Sequence, residues 1–180
     1  TASFTIQDTL APVIESQAAN LTVDCDGAGN TTELTAWLNS FGGALATDAC
    51  GIVSWSNNFE ALSDDCGLTG SATVIFTATD ECGNASTTTA TFTIQDTTAP
   101  VIEIAATDLT VECDGQGNTD ALAQWLNSIG GAVVSDVCGK ATWTNNFEAL
   151  SDECGATGSA TVIFTATDEC ENTSTTAATF

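Results

Sequence analysis

The sequence predicts a mainly β chain built as two sandwich domains in tandem, each carrying one short α-helix. Three observations lead there. First, the chain repeats itself without a gap: Cys25, Cys50, Cys66 and Cys82 recur as Cys113, Cys138, Cys154 and Cys170, each displaced by 88 positions. Self-similarity at a fixed period marks an array of like units. Second, Ser71–Thr79 alternates, with Ala72, Val74, Phe76 and Ala78 on one face and threonines on the other. Third, one segment in each copy changes from a period of two to a helical period.

Within the first copy the elements follow in order. Short strands are predicted at Pro12–Glu15, Asn20–Asp24 and Gly51–Asn57, and longer ones at Ser71–Thr79 and Thr89–Ile94. Period-two alternation rich in β-branched residues describes an antiparallel strand buried on one face. Turn pairs separate them: Asp26-Gly27, Cys66-Gly67 and Gly83-Asn84. Between Asn30 and Phe41 the apolar residues Leu34, Trp37, Leu38 and Phe41 fall at i, i+3, i+4 and i+7, one face of a helix. Asn30 with Glu33 reads as a capping box, and Gly42-Gly43 as the stop. Leu122, Trp125, Leu126 and Ile129 repeat the face. These strands, the turn spacing and Trp55 predict an immunoglobulin-like sandwich with one helical insertion. The expected domains are 9–96 and 97–180, the second cut short in its last strand. Residues 1–8 read as the last strand of a preceding repeat, so the chain reads as a window on a longer protein.

Composition narrows the function. There are 24 acidic residues against one basic residue, Lys140, for a net charge of −23. Nucleic acids and anionic membranes both require Lys or Arg to neutralise phosphate, so neither is an expected partner. No apolar run approaches the ~18 residues that suggest a membrane-spanning helix. The chain has no His and no Cys-x-x-Cys, so the eight cysteines do not read as zinc ligands. Disulfides are the default, and they imply an oxidising, extracellular or cell-surface setting for a secreted protein.

Thr77-Ala-Thr-Asp-Glu-Cys-Gly-Asn84, followed by a Thr-rich strand ending Ile94-Gln-Asp-Thr-Thr-Ala-Pro-Val101, resembles the hyalin-repeat-like (HYR-like) modules. These occur in tandem in very large secreted surface proteins and adhesins of the Bacteroidetes. The resemblance covers the whole repeat. It implies an extracellular immunoglobulin-like sandwich, often exported by the type IX route. It also implies O-glycans within Asp-Thr/Ser-apolar triplets, which makes Thr9 and Thr97 candidate acceptors. Asn20, Asn30, Asn84 and Asn172 stand in N-x-[ST] triplets, a motif that arises easily in a Thr-rich chain.

Four cysteines per copy allow three connectivities. Strand polarity in a sandwich of this type favours Cys25–Cys66 and Cys50–Cys82, with Cys113–Cys154 and Cys138–Cys170 in the second copy. The Cys50–Cys82 bond would draw Asp48 and Asp80 together, near linker Asp8 and turn Asn84. Asp96, Asp136, Asp168 and Asn172 repeat the set. Three carboxylates and an amide oxygen suit Ca²⁺, which takes six to eight oxygen ligands. The simpler reading is solvated turn acids. The lack of basic partners favours a metal, because neighbouring carboxylates repel. Such ions would stiffen the domain junctions.

Catalysis has little support. There is no His to act as a base, and no free thiol once the cysteines pair. A carboxylate pair could hydrolyse a glycoside, but a duplicated site argues for structure. The expected function is therefore a repeat module of a long extracellular adhesin or filament, with no catalytic residues. Its partners would be neighbouring repeats, with self-association into fibres as a further possibility. The alternative is a glycan- or surface-ligand-binding module, although Trp37, Trp55, Trp125 and Trp143 all lie on predicted core faces.

Overall fold

A computed structural model describes residues Thr1–Phe180. The chain is about 34% strand and 13% helix and divides into two compact units, Thr1–Gln95 and Asp96–Phe180.

In the first unit, β1 (Val13–Ser16) and β2 (Leu21–Asp24) precede α1 (Thr31–Asn39) and a 3-10 turn at Phe41–Gly43. Then come β3 (Leu45–Thr47), β4 (Ser54–Asn57), β5 (Gly70–Thr79) and β6 (Ala85–Gln95). The main sheet runs β2-β6-β5-β4, and β1 pairs with β3 in a small second sheet. The long hairpin β5–β6 is antiparallel over its whole length, from Gly70 opposite Ile94 to Thr79 opposite Ala85. β2 joins the edge of β6 in parallel, with Leu21 opposite Phe92 and Asp24 opposite Gln95. The alternation in β5 and β6 does what it predicts. Val74, Phe76, Ala78 and Phe92 are fully buried, with Ala90 and Ile94 nearly so.

The layer over that apolar face comes from α1. Trp37 meets Phe76 edge-on at 5.2 Å and Phe92 at 5.6 Å. Its indole N–H donates to the Ala19 carbonyl at 3.0 Å, so the one polar atom of a buried side chain is satisfied. The small sheet half-buries Ile14 and Ala46 and leaves Val13 and Leu45 exposed. The two layers are therefore unequal, with a helix doing part of what a second sheet does in an ordinary sandwich.

The second unit repeats the order as β7 (Val101–Ile104), α2 (Thr119–Asn127), a 3-10 turn at Ile129–Gly131, β8 (Val133–Ser135), β9 (Thr142–Asn145), β10 (Thr161–Thr167) and β11 (Thr173–Thr179). Its sheets are β7-β8 and β11-β10-β9. Trp125 packs edge-on against Phe164 at 5.3 Å and tilts against Phe180 at 5.7 Å.

Two local expectations need correction. Asn30 does not cap α1 through its side chain: it adopts a left-handed conformation (φ 47°) with no side-chain cap bond. Its amide instead accepts from the Asp26 N–H at 3.2 Å and donates to the Asp24 carbonyl at 3.0 Å, so it closes the preceding loop. The helix also ends early, at Asn39, and Phe41 enters a 3-10 turn with φ 55°. Gly42 follows with φ 65°, and a Cβ there would meet the Cβ of Ala18 at 3.0 Å and the ring of Phe76 at 3.3 Å. Residues 1–8 form no strand, and Phe4 and Ile6 stand 90% and 85% exposed. Their sequence echoes β6, but no flanking strands are present there to pair with them. Leu109–Glu112, the counterpart of β2, is not a strand. β2 depends on Phe92–Gln95 for its ladder, and Phe180 stands at the position of Phe92.

Candidate cation site and cysteine pairs

Each acidic position of the predicted set sits in a turn that its own carboxylate organises. Asp8 Oδ1 accepts from the Leu10 N–H at 3.2 Å, and Asp96 Oδ1 from the Thr98 N–H at 3.0 Å. Asp48 Oδ1 accepts from the Cys50 N–H, and Asp136 Oδ1 from the Cys138 N–H, both at 2.8 Å. These are Asx turns, in which a short carboxylate bonds the backbone two residues on. Asp80 goes further. Its Oδ1 accepts from the Cys82 and Asn84 N–H groups and its Oδ2 from the Asn84 amide, all at 2.8 Å. Asp168 repeats this with Cys170 and Asn172, at 2.8–2.9 Å. Both carboxylates are buried, with only 7% of each residue exposed.

Burial without a cation must be offset by donors. For Asp80 the Asn84 side-chain bond, together with the backbone N–H groups, holds the carboxyl below the usual carboxylate range against the opposing effect of burial. Asp26 and Asp114 are likewise held low, chiefly by backbone N–H donors from Asn30 and Ala28 and from Gln116 and Asn118.

The carboxylates converge in part. In the second unit Asp96, Asp136 and Asp168 bring oxygens within 4.8 Å of one another. In the first unit the matching group is Asp8, Asp48 and Cys50. The Cys50 thiol joins where the predicted Asp80 does not. The asparagines also differ from expectation. Asn84 and Asn172 turn their amide N–H₂ towards the carboxylates, and Asn172 donates to the Asp96 carbonyl as well, at 3.2 Å. They act as donors because a buried carboxylate without a Lys or Arg needs them. The all-oxygen group of the second unit fits a hard cation such as Ca²⁺. A group containing a thiol fits it less well.

The cysteines divide by copy. Cys25, Cys66, Cys138 and Cys170 are disulfide-bonded. Cys50, Cys82, Cys113 and Cys154 are free thiols at exposed positions. Partial desolvation, then the charges of Asp8 and Asp80, push the Cys82 thiol up, with smaller contributions from Cys50 and Glu81. The acidic turn around this thiol disfavours its thiolate.

Other candidates resolve by position. Thr9 and Thr97 are exposed and lie outside helices and strands. Asn30 is only 2% exposed and already bonded on both sides of its amide, so its N-x-[ST] triplet is no acceptor. Trp37 and Trp125 are buried, and Trp55 stacks on Phe41 at 5.2 Å. Periodicity missed the conformational role of Phe41 and Ile129, which both take positive φ. The Gly-Gly after each was the available signal.

No family model and no curated protein matches the chain. Among solved structures, the chain is similar to Drosophila N-cadherin EC1-4, at 10% identity and a TM-score of 0.37, covering 94% of this chain and 49% of that one. The protocadherin gamma B7 EC3-6 cis-dimer structure is similar at 15% identity and a TM-score of 0.33, with 94% and 46% covered. This chain thus spans about half the length of either. Likeness at these scores does not define a topology, which rests here on the chain's own strand order.

Proposed function

We propose that this chain is a structural repeat module of a long extracellular adhesin or filament, of the HYR-like, immunoglobulin-like type found in secreted Bacteroidetes proteins. The observation that carries the reading is the recurrence of one ensemble. The tryptophan-centred core, the Asp turns and the cysteine positions all return in the second unit at the same phase. An array of this kind works through number, spacing and stiffness, and no site in it needs to be unique. The module is non-enzymatic. Its natural partners are neighbouring repeats, and self-association into fibres extends the same role.

Ca²⁺ is the proposed ion. Asp96, Asp136 and Asp168 supply oxygens in the second unit, and Asp8 and Asp48 do so in the first. An ion at these groups would offset the repulsion of a chain with almost no basic residues. Bound to the folded state alone, it would stabilise by mass action. Thr9 and Thr97 are the proposed glycan acceptors, and an intact mass above that of the sequence would reveal them.

Thermal unfolding in Ca²⁺ and in chelator tests the ionic part. Melting is expected several degrees higher in Ca²⁺, and the difference should fall in Asp136→Asn/Asp168→Asn. Identical melting in both buffers would remove the ion from the account.

A further inference from the structure

The two copies are bonded in complementary ways. The first holds Cys25 and Cys66 as half-cystines and leaves Cys50 and Cys82 free. The second reverses this, with Cys138 and Cys170 bonded and Cys113 and Cys154 free. Every cysteine that is free in one copy therefore has a bonded counterpart 88 positions away.

Several contacts recur at each counterpart pair, although Cys138 is buried where Cys50 is exposed. Bonded Cys25 places its sulfur 4.0 Å from the Leu68 carbonyl, and free Cys113 places its own 3.4 Å from the equivalent Ala156 carbonyl. Bonded Cys66 lies 3.4 Å from Thr69 Oγ1, and free Cys154 lies 3.7 Å from Thr157 Oγ1. The Thr69 hydroxyl donates to the Cys66 carbonyl at 2.6 Å, and Thr157 to that of Cys154 at 2.7 Å. At the other pair, all four cysteine N–H groups donate at 2.8 Å to the aspartate two residues earlier: Asp48, Asp80, Asp136 and Asp168. A disulfide requires Cα atoms within a narrow range and Cβ atoms directed at each other. The Thr69 and Thr157 bonds and the four Asp turns hold the backbone alike in both copies, while Cys25 differs from Cys113 in also donating its N–H to the Gln95 carbonyl at 2.8 Å.

We propose that Cys50 pairs with Cys82 and Cys113 with Cys154, so that each copy carries the same two disulfides. This rests on the module reading only in treating the copies as equivalent. The four thiols are exposed, so an oxidant can reach them. Each closure is a thiol–disulfide exchange with a low-molecular-weight disulfide such as oxidised glutathione. One cysteine thiolate attacks the external disulfide, forming a mixed disulfide and releasing one small thiol. The second cysteine thiolate displaces the other small thiol. One S–S bond forms in the protein and one is broken in the oxidant. The two thiol protons leave the cysteines and end on the two small thiols.

The full chain, equilibrated with oxidised and reduced glutathione and then alkylated, decides the matter. No alkylated cysteine is expected, and Asp/Glu-specific digestion should yield Cys50-linked-to-Cys82 and Cys113-linked-to-Cys154 peptides. Cys50→Ser should make Cys82 alone alkylatable, and Cys113→Ser should do the same for Cys154. These positions are exposed, and the variants leave the bonds already formed intact. Persistent alkylation of all four wild-type thiols would overturn the proposal. So would any other linkage, or the release of a different cysteine by either variant. A calcium-insensitive melt with these linkages present would defeat the ionic reading and leave this one standing.

Discussion

At the residue scale, the Asp80–Asn84 turn contributes to how the protein responds to acid. The bonds to Asp80 favour its charged form, so its folded pKa lies below the ordinary carboxylate value. A depressed folded pKa contributes stability that is present above about pH 4, the unfolded value, and is lost as pH falls through the folded one. Asp26 and Asp114 act in the same direction. Melting temperature should therefore fall as pH drops below about 4. Asp80→Asn should melt lower at neutral pH and lose part of that acid dependence. An unchanged acid limb in Asp80→Asn would show that the turn bonds do not favour the carboxylate. A second residue-scale test uses a difference between the copies. Glu171 has φ 72° where the first copy has Gly83 with φ 88°. A left-handed conformation costs an ordinary L-residue about 1–2 kcal/mol, so Glu171→Gly should stabilise the second unit by up to about 1 kcal/mol in urea titrations.

At the scale of the element, the helix is the part that makes each sheet viable. Trp37→Ala removes the ring that meets Phe76 and Phe92 and should cost about 3–5 kcal/mol. Trp125→Ala should do the same in the second unit. Gly42→Ala should destabilise by more than about 1 kcal/mol, since it combines positive φ with close approach to Ala18 and Phe76. Denaturant unfolding of each variant checks these values. Much of this was legible in the sequence. The alternation in Ser71–Thr79 and Thr89–Ile94 located the buried faces of β5 and β6, and the i, i+3, i+4, i+7 spacing located the Trp37 face. The sequence could not show that Asn30 would bond backwards into its loop, because the Asn-x-x-Glu pattern is the same in either case. The parallel pairing of β2 with β6 also left no local mark, since register across the edge of a sheet is set by tertiary contact. The acid group was legible in its aspartates, but Cys50 in place of Asp80 was not. Which oxygen or sulfur points inward depends on turn geometry finer than residue spacing.

For the whole molecule, the proposed role is mechanical, that of like units acting through repetition. Two units with the same core should unfold as separate events of similar size. Reducing conditions should lengthen each event, because chain held behind a disulfide becomes extensible only when that bond is absent. The most direct measurement is single-molecule force extension of the full chain between its ends, with and without reductant. Two unfolding events of near-equal contour increment are expected. In reductant each should approach roughly 300 Å, the extended length of one repeat at about 3.4 Å per residue, and each should be markedly shorter when oxidised. A single cooperative rupture, or two events of unrelated length that ignore reductant, would contradict that role.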